Sequence, residues 1–196
     1  MRTDRHRSGS LYTAAGQRKY LTAAERLRFL EAAIACPRAE LRTLCLTLAY
    51  TGCRISEALA LGPAMIEREA GFIAVRSLKK RKRTVVIREV PVPLQLFSAL
   101  NVVHNFEQND GRLWTWSRSR AWQLVKGIMR EAAISEGPHM TPKGLRHSFG
   151  IHAIRSGVPL NLVQRWLGHA SMSTTAIYLE AMGDEEREIA ARMWVN

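Results

Sequence analysis

Apolar residues recur at two different periods along this chain. From residue 22 to residue 61 they return every three or four positions, the spacing of helices with one buried face. Thr22 followed three residues later by Glu25 has the form of a capping box, so order is expected to begin there. Ala23, Leu27, Leu30 and Ile34 then fall on one face of a first helix. A second helix carries Leu41, Leu44, Cys45 and Leu48 at the same spacing, and Gly52 is placed to close it in a left-handed turn. Residues 54–61 read as a short third helix that Gly62 and Pro63 stop.

The period then shortens. Residues 72–78 and 84–90 are rich in β-branched and apolar side chains and predict a β-hairpin, ended by Pro91 and Pro93. Its tip is strongly basic: Lys79, Lys80, Arg81, Lys82 and Arg83. Helical spacing returns over residues 94–106 and again over 119–133, where Ala121, Leu124, Val125, Ile128 and Met129 face inward. Thr141 as N-cap with Pro142 behind it starts the next helix, and Gly157 ends it. Short helices follow over residues 160–167 and 174–179, and residues 184–194 are acidic and amphipathic. No segment repeats. The predicted fold class is mainly α with a small antiparallel β-sheet (α+β).

Length allows one domain with a proper core, since the chain has 196 residues. Charge changes the picture more. Lys and Arg number 29 against 17 acids, a formal net charge of +12, which on so small a domain points to a polyanionic partner, nucleic acid ahead of anionic membrane. Residues 1–20 carry Arg2, Arg5, Arg7, Arg18 and Lys19 against Asp4 alone and are expected to form a flexible basic arm. Cys36, Cys45 and Cys53 make no CxxC pair, so reduced thiols are expected and a metal site is not. No apolar run approaches the roughly 20 residues that span a bilayer. Nor do the first residues contain the apolar core of a signal peptide. The expected setting is cytoplasmic and nucleoid-associated, with no membrane partner.

Exchange of a phosphodiester without a metal needs a nucleophile, fixed cations around the phosphorus and an acid for the leaving oxygen. Arginine suits the cations, because its planar fork binds two oxygens and stays charged. A tyrosine phenol suits the nucleophile, because it forms a stable yet reversible phosphoester. Three ordered blocks supply these types. The first is Thr51-Gly52-Cys53-Arg54-Ile55-Ser56-Glu57-Ala58-Leu59. The second runs from Thr141-Pro142-Lys143 through Leu145-Arg146-His147 to Gly150. The third is Val163-Gln164-Arg165-Trp166-Leu167-Gly168-His169, continuing through Thr174-Thr175-Ala176-Ile177-Tyr178.

Together the blocks resemble the tyrosine recombinase (lambda-type phage integrase) family over residues 21–180, and three ordered boxes are far more specific than any one of them. The resemblance implies that Arg54 and Arg146 bind the scissile phosphate, that His169 joins them, and that Tyr178 is the nucleophile. Glu57 would support the cations, and His147 would pack or hydrogen-bond behind the site. Lys143 stands where the family most often has His. It keeps a positive donor there but not neutral-imidazole chemistry. Lys79 at the hairpin turn would be the general acid, with Lys80 and Lys82 as alternatives, and Lys80, Arg81, Lys82 and Arg83 would contact DNA phosphates. Singly, each residue has a plainer role: Arg54 a surface arginine, Tyr178 a core tyrosine, His152 a structural histidine. His139 precedes the Thr141 cap and is not assigned to the site.

The implied activity is site-specific DNA recombination through a 3′-phosphotyrosine, with no metal or cofactor. Implied partners are double-stranded DNA at a specific core site, three further copies in a homotetramer, and an accessory DNA-bending protein. Residues 181–196, with Ile189, Met193 and Trp194 on one face, are expected to form an amphipathic helix that docks on a neighbouring subunit. Two rivals remain: a catalytically silent DNA-binding regulator on the same fold, and a nicking-closing enzyme of the type IB topoisomerase kind that shares the phosphotyrosine chemistry. Most family members carry an N-terminal helical domain for which residues 1–20 leave no room, so the chain is expected to be either a catalytic domain acting alone or a fragment.

Overall fold

A computed structural model of the chain describes residues 10–77 and 86–179. Helix α2 (Ala39–Thr51) is its axis, with Leu41, Leu44, Cys45, Leu46, Leu48 and Ala49 all buried. Around it pack α1 (Ala23–Ala35), α4 (Leu94–His104), α5 (Arg118–Glu131) and α6 (Pro142–Arg155). Among the described residues three short α-helices, α3 (Ile55–Ala58), α7 (Leu160–Leu167) and α8 (Ser173–Ala176), and a 3-10 turn at Pro63–Met65 complete the packing. A helix enclosed by four others is apolar nearly all round, and α2 has that composition. No helix among the described residues is long and apolar enough to cross a membrane.

Strands β1 (Ile66–Glu67), β2 (Phe72–Arg76) and β3 (Ile87–Pro91) form one antiparallel sheet in that order. Ile73 pairs with Val90 and Val75 with Arg88, and all four are buried, while Arg76, Ile87 and Glu89 face outward. The sheet matches the predicted hairpin and adds β1, whose two residues are too few to show a period of two. The tip residues Lys79, Lys80, Arg81, Lys82 and Arg83 lie outside the described residues, as do residues 1–9 and the expected C-terminal helix with Ile189, Met193 and Trp194.

The N-terminus of α1 has the predicted capping box, Thr22 accepting from the Glu25 amide and Glu25 from the Thr22 amide. Its buried face differs from the expected one. Phe29, Leu30 and Ala33 point inward, and Leu27 and Ile34 are 58% and 56% exposed. The helix is rotated because Glu25 is buried too, gripped by both Nη atoms of Arg18 at 2.6 Å.

Arg18 belongs to the segment expected to be a flexible arm. Residues 10–20 instead form a tight turn, with Tyr12 bridged to Arg18 and Leu11 wholly buried. Counting its charges misled, because the partner of one of them sits on the next helix.

Candidate active site

Arg146 joins the three sequence blocks in space. It lies on α6, is buried, and donates from Nη1 to the Gly52 carbonyl at 2.7 Å and from Nη2 to the Leu167 carbonyl at 2.6 Å. Both acceptors lie at helix ends, where carbonyls have no intrahelical partner. Gly52 caps α2 with φ +59, and a Cβ there would meet the Phe149 ring at 2.4 Å, so the turn leading to Arg54 needs glycine on two counts. Burial and the nearby Arg54 charge lower the Arg146 guanidinium to about 10, still charged at neutral pH.

Arg54 follows that turn as the N-cap of α3, its side chain 30% exposed. Its Nη1 donates to Glu57 Oε1 at 2.8 Å and its amide to Glu57 Oε2 at 2.8 Å. Glu57 is buried and also receives Arg88 Nη2 at 2.5 Å. Arg88 in turn donates through Nε to the Trp166 carbonyl at 2.7 Å, tying β3 to the end of α7.

Burial pushes the Glu57 carboxyl up. The Arg88 hydrogen bond and charge, then the Arg54 amide and charge, pull it down further, and it ends below the usual carboxylate range. Sequence reasoning missed Arg88. The available signal was a charge at an inward position of an alternating strand, on the same face as Val90.

Lys143, Arg146, His147 and Gly150 occupy positions i, i+3, i+4 and i+7 of α6, one stripe of the helix. Gly150 gives Tyr178 its place: a Cβ there would lie 2.5 Å from the Tyr178 ring. The Tyr178 side chain is fully buried, its ring stacked with His169 at 6.1 Å and tilted against His147 at 5.9 Å. Its hydroxyl is 3.3 Å from His147 Nδ1. Burial raises the phenol to about 12, against the pull of the Arg146 and Arg54 charges. His147 is lowered to about 4, first by burial and then by the charges of Lys143, Arg146 and Lys19.

His169 stands just past α7, with its Nδ1 3.0 Å from the Thr175 hydroxyl. Thr175 is fully buried and orients the imidazole. Sequence reasoning quoted it in the third block without giving it a role. Lys143 is exposed at the start of the stripe. His139 is buried elsewhere, beside Ser135 and 3.8 Å from Glu25. His152 is exposed on the opposite side of α6 from the stripe's end. Arg54, Glu57, Lys143, Arg146, His147, His169 and Tyr178 thus share one site. Lys79 lies outside the described residues. Among those residues no group of three or more His, Cys, Asp or Glu is placed to hold a metal ion.

Glu57→Ala should destabilise the fold by about 3–5 kcal/mol at pH 7, because it strands the buried Arg88 charge. A carboxyl held low in the folded state contributes fully above its unfolded value of about 4.3, and that contribution is lost as pH falls through the folded value. The gap between wild type and variant in denaturant melts should therefore close on acidification. A gap independent of pH would exclude the ion pair as its source.

The phage integrase family model matches residues 19–184. The tyrosine recombinase XerA of Pyrococcus furiosus is 32% identical over 161 residues, which are 77% of this chain and 54% of that protein. The tyrosine recombinase XerD of Halalkalibacterium halodurans is 31% identical over 151 residues, 72% of this chain and 49% of that protein. The chain therefore spans about half the length of the curated relatives it matches. A crystal structure of XerA recombinase superposes with a TM-score of 0.72 at 27% identity, covering 90% of this chain and 65% of that one. The catalytic domain of bacteriophage HP1 integrase shares the fold, with a TM-score of 0.67 at 22% identity over 88% of this chain and 93% of that one.

Proposed function

Because this chain belongs to the phage integrase family, we propose that it is a site-specific recombinase that cuts and rejoins DNA through Tyr178. The observation that carries the reading is Arg146, one side chain holding the Arg54 turn and the His169 turn on either side of it, with Tyr178 packed against the same helix. A guanidinium has five N–H donors, so the two carbonyls leave Arg146 donors for a phosphate. Arg54, Lys143 and His169 complete the rim of donors around it.

Tyr178 Oη attacks phosphorus and the bond to the 5′-oxygen breaks, leaving a 3′-phosphotyrosine; Lys79 protonates the departing oxygen. A 5′-hydroxyl from another strand then attacks the phosphotyrosine and releases the phenol. Bond energy is kept in the phosphotyrosine. Double-stranded DNA with a specific core site is the partner, in keeping with the +12 charge. Four copies on two sites would exchange strands, aided by an accessory DNA-bending protein. Residues 21–180 would form the catalytic unit and 181–196 the contact between copies.

The test uses duplexes that the protein itself selects from a random-sequence pool, nicked so that the short 5′ fragment diffuses away. A protein–DNA adduct on denaturing gels, and products carrying new flanks, are the expected results. Relaxed supercoils with no new flanks would make it a nicking-closing enzyme. Binding without an adduct would make it a regulator.

Lys143 has its own expected outcome here. Lys143→Ala should slow cleavage by about 10²-fold, the lower end of losing one transition-state donor, since Lys143 is exposed. Binding should weaken less, because the interaction strengthens as charge develops on phosphorus. Lys143→His should retain much of the rate. His139→Ala should cleave normally, given its place beside Glu25. A normal rate in Lys143→Ala with a large loss in His139→Ala would reverse the assignment.

A further inference from the structure

We propose that His147 is the general base of the cleavage step, its Nδ1 taking the phenolic proton as Tyr178 attacks. This rests on the reading of Tyr178 as nucleophile and adds to it the group that receives the proton.

The cluster around Tyr178 is rich in donors and poor in acceptors. Arg54 and Arg146 donate only, and the Lys143 ammonium has three donors and no lone pair. His169 meets the phenol by stacking, its ring inclined 24° to that of Tyr178, and its Nδ1 is engaged with the Thr175 hydroxyl at 3.0 Å. His147 meets the hydroxyl itself. Its Nδ1 lies 3.3 Å from Oη, within the looser reach expected of a catalytic pair before substrate tightens it. The arrangement requires the tautomer with hydrogen on Nε2, so that the Nδ1 lone pair points at the phenol.

The charges facing His147 make this base depend on substrate. Lys143 and Arg146 approach from its own helix, Lys19 from the N-terminal turn, and Tyr178 from beyond α8. Burial and those three cations keep the imidazole neutral and weakly basic in the free protein. A phosphate seated on Arg146 and Lys143 offsets their charge and raises the proton affinity of His147. The phenol thus keeps its proton until a phosphate is in place.

In the step itself, the Tyr178 O–H bond breaks and an N–H bond forms at His147 Nδ1. The freed Oη electron pair makes the bond to phosphorus, the bond from phosphorus to the 5′-oxygen breaks, and a separate donor protonates that oxygen. On resealing, the separate donor takes back the proton of the incoming 5′-hydroxyl, whose oxygen bonds to phosphorus and displaces the phenolate, which recovers its own proton from the imidazolium.

His147→Asn and His147→Phe test the proposal. Asparagine keeps an acceptor near the Nδ1 position but cannot take a proton, and phenylalanine keeps the ring volume. With the nicked duplexes at saturating enzyme, both should form the adduct about 10²-fold more slowly or worse. Both should also lose the acid limb of the wild-type pH–rate profile, in which the rate climbs until the imidazole is neutral. Should His147→Phe fail to fold, the asparagine variant decides alone. A wild-type rate in His147→Asn, or a slowed variant that keeps the limb, overturns the proposal, as does a ¹⁵N spectrum of the free protein placing the hydrogen on Nδ1. A wild-type chain that makes no adduct sinks the parent reading. A cleaving wild type with an equally fast His147→Asn sinks this one alone.

Discussion

Tyr178→Phe should abolish covalent attachment to DNA and leave DNA binding nearly intact. The substitution removes one oxygen. Phenylalanine fills the same space on Gly150 between His147 and His169, a site where the Tyr178 ring is wholly buried. With the oxygen goes its hydrogen bond to His147 Nδ1 at 3.3 Å, worth about 1 kcal/mol to the fold. The cations that would meet the phosphate do not involve that oxygen, so the affinity they confer remains. Chemistry is affected quite differently, because no neighbouring group can substitute for Oη. His147 meets the hydroxyl as the proposed acceptor of its proton, His169 is stacked on the ring, and Thr175 is buried and engaged with His169. Nicked duplexes run on denaturing gels give the answer, with equal binding by both proteins in native gels as the control. An adduct that persists in the Phe variant removes Tyr178 from the mechanism.

The helices and the hairpin were legible because their signals are local. A capping box at Thr22 and Glu25, a glycine forced into the left-handed region at position 52 and a proline after Thr141 depend on a few adjacent residues. What could not be read depends on residues far apart. The buried face of α1 is set by Glu25, whose burial is explained by Arg18 in a turn that charge counting treats as an arm. Arg88 is a charge in a strand until Glu57, 31 residues away, is seen beneath it.

The site divides in the same way. Its residue types and order stood in the three blocks, and the closeness of Arg54, Arg146, His169 and Tyr178 follows that order. The blocks did not reveal that His147 touches the Tyr178 hydroxyl or that Thr175 holds His169. The first contact arises because Tyr178 packs on Gly150 of α6, one turn from His147, and the second because α8 packs against α7.

Arg146→Ala should disable the protein in two separable ways. The guanidinium holds the Gly52 carbonyl at 2.7 Å and the Leu167 carbonyl at 2.6 Å, both at helix ends with no other partner of their own helix. Alanine leaves both buried acceptors unpaired, at about 1–3 kcal/mol each, so the melting temperature should fall markedly. Cleavage should fall by more than the roughly 10²–10³-fold of a single lost donor. Arg54 follows the Gly52 turn and His169 follows Leu167, so both of the neighbours proposed to bind phosphate lose their anchor with it.

Arg146→Lys separates the two effects. An ammonium restores a charge and one direction of contact, but it cannot span two carbonyls and a phosphate as a planar fork does. It should bind DNA much as wild type does, melt between the wild type and the alanine variant, and cleave almost as poorly as alanine. Denaturant melts and single-turnover cleavage on the same preparations measure both quantities. Cleavage by Arg146→Lys near the wild-type rate would show that charge alone suffices and that the fork is dispensable. An alanine variant as stable as wild type would show that the two carbonyls find water or other partners, and the tie between the blocks would then not be what positions Arg54 and His169.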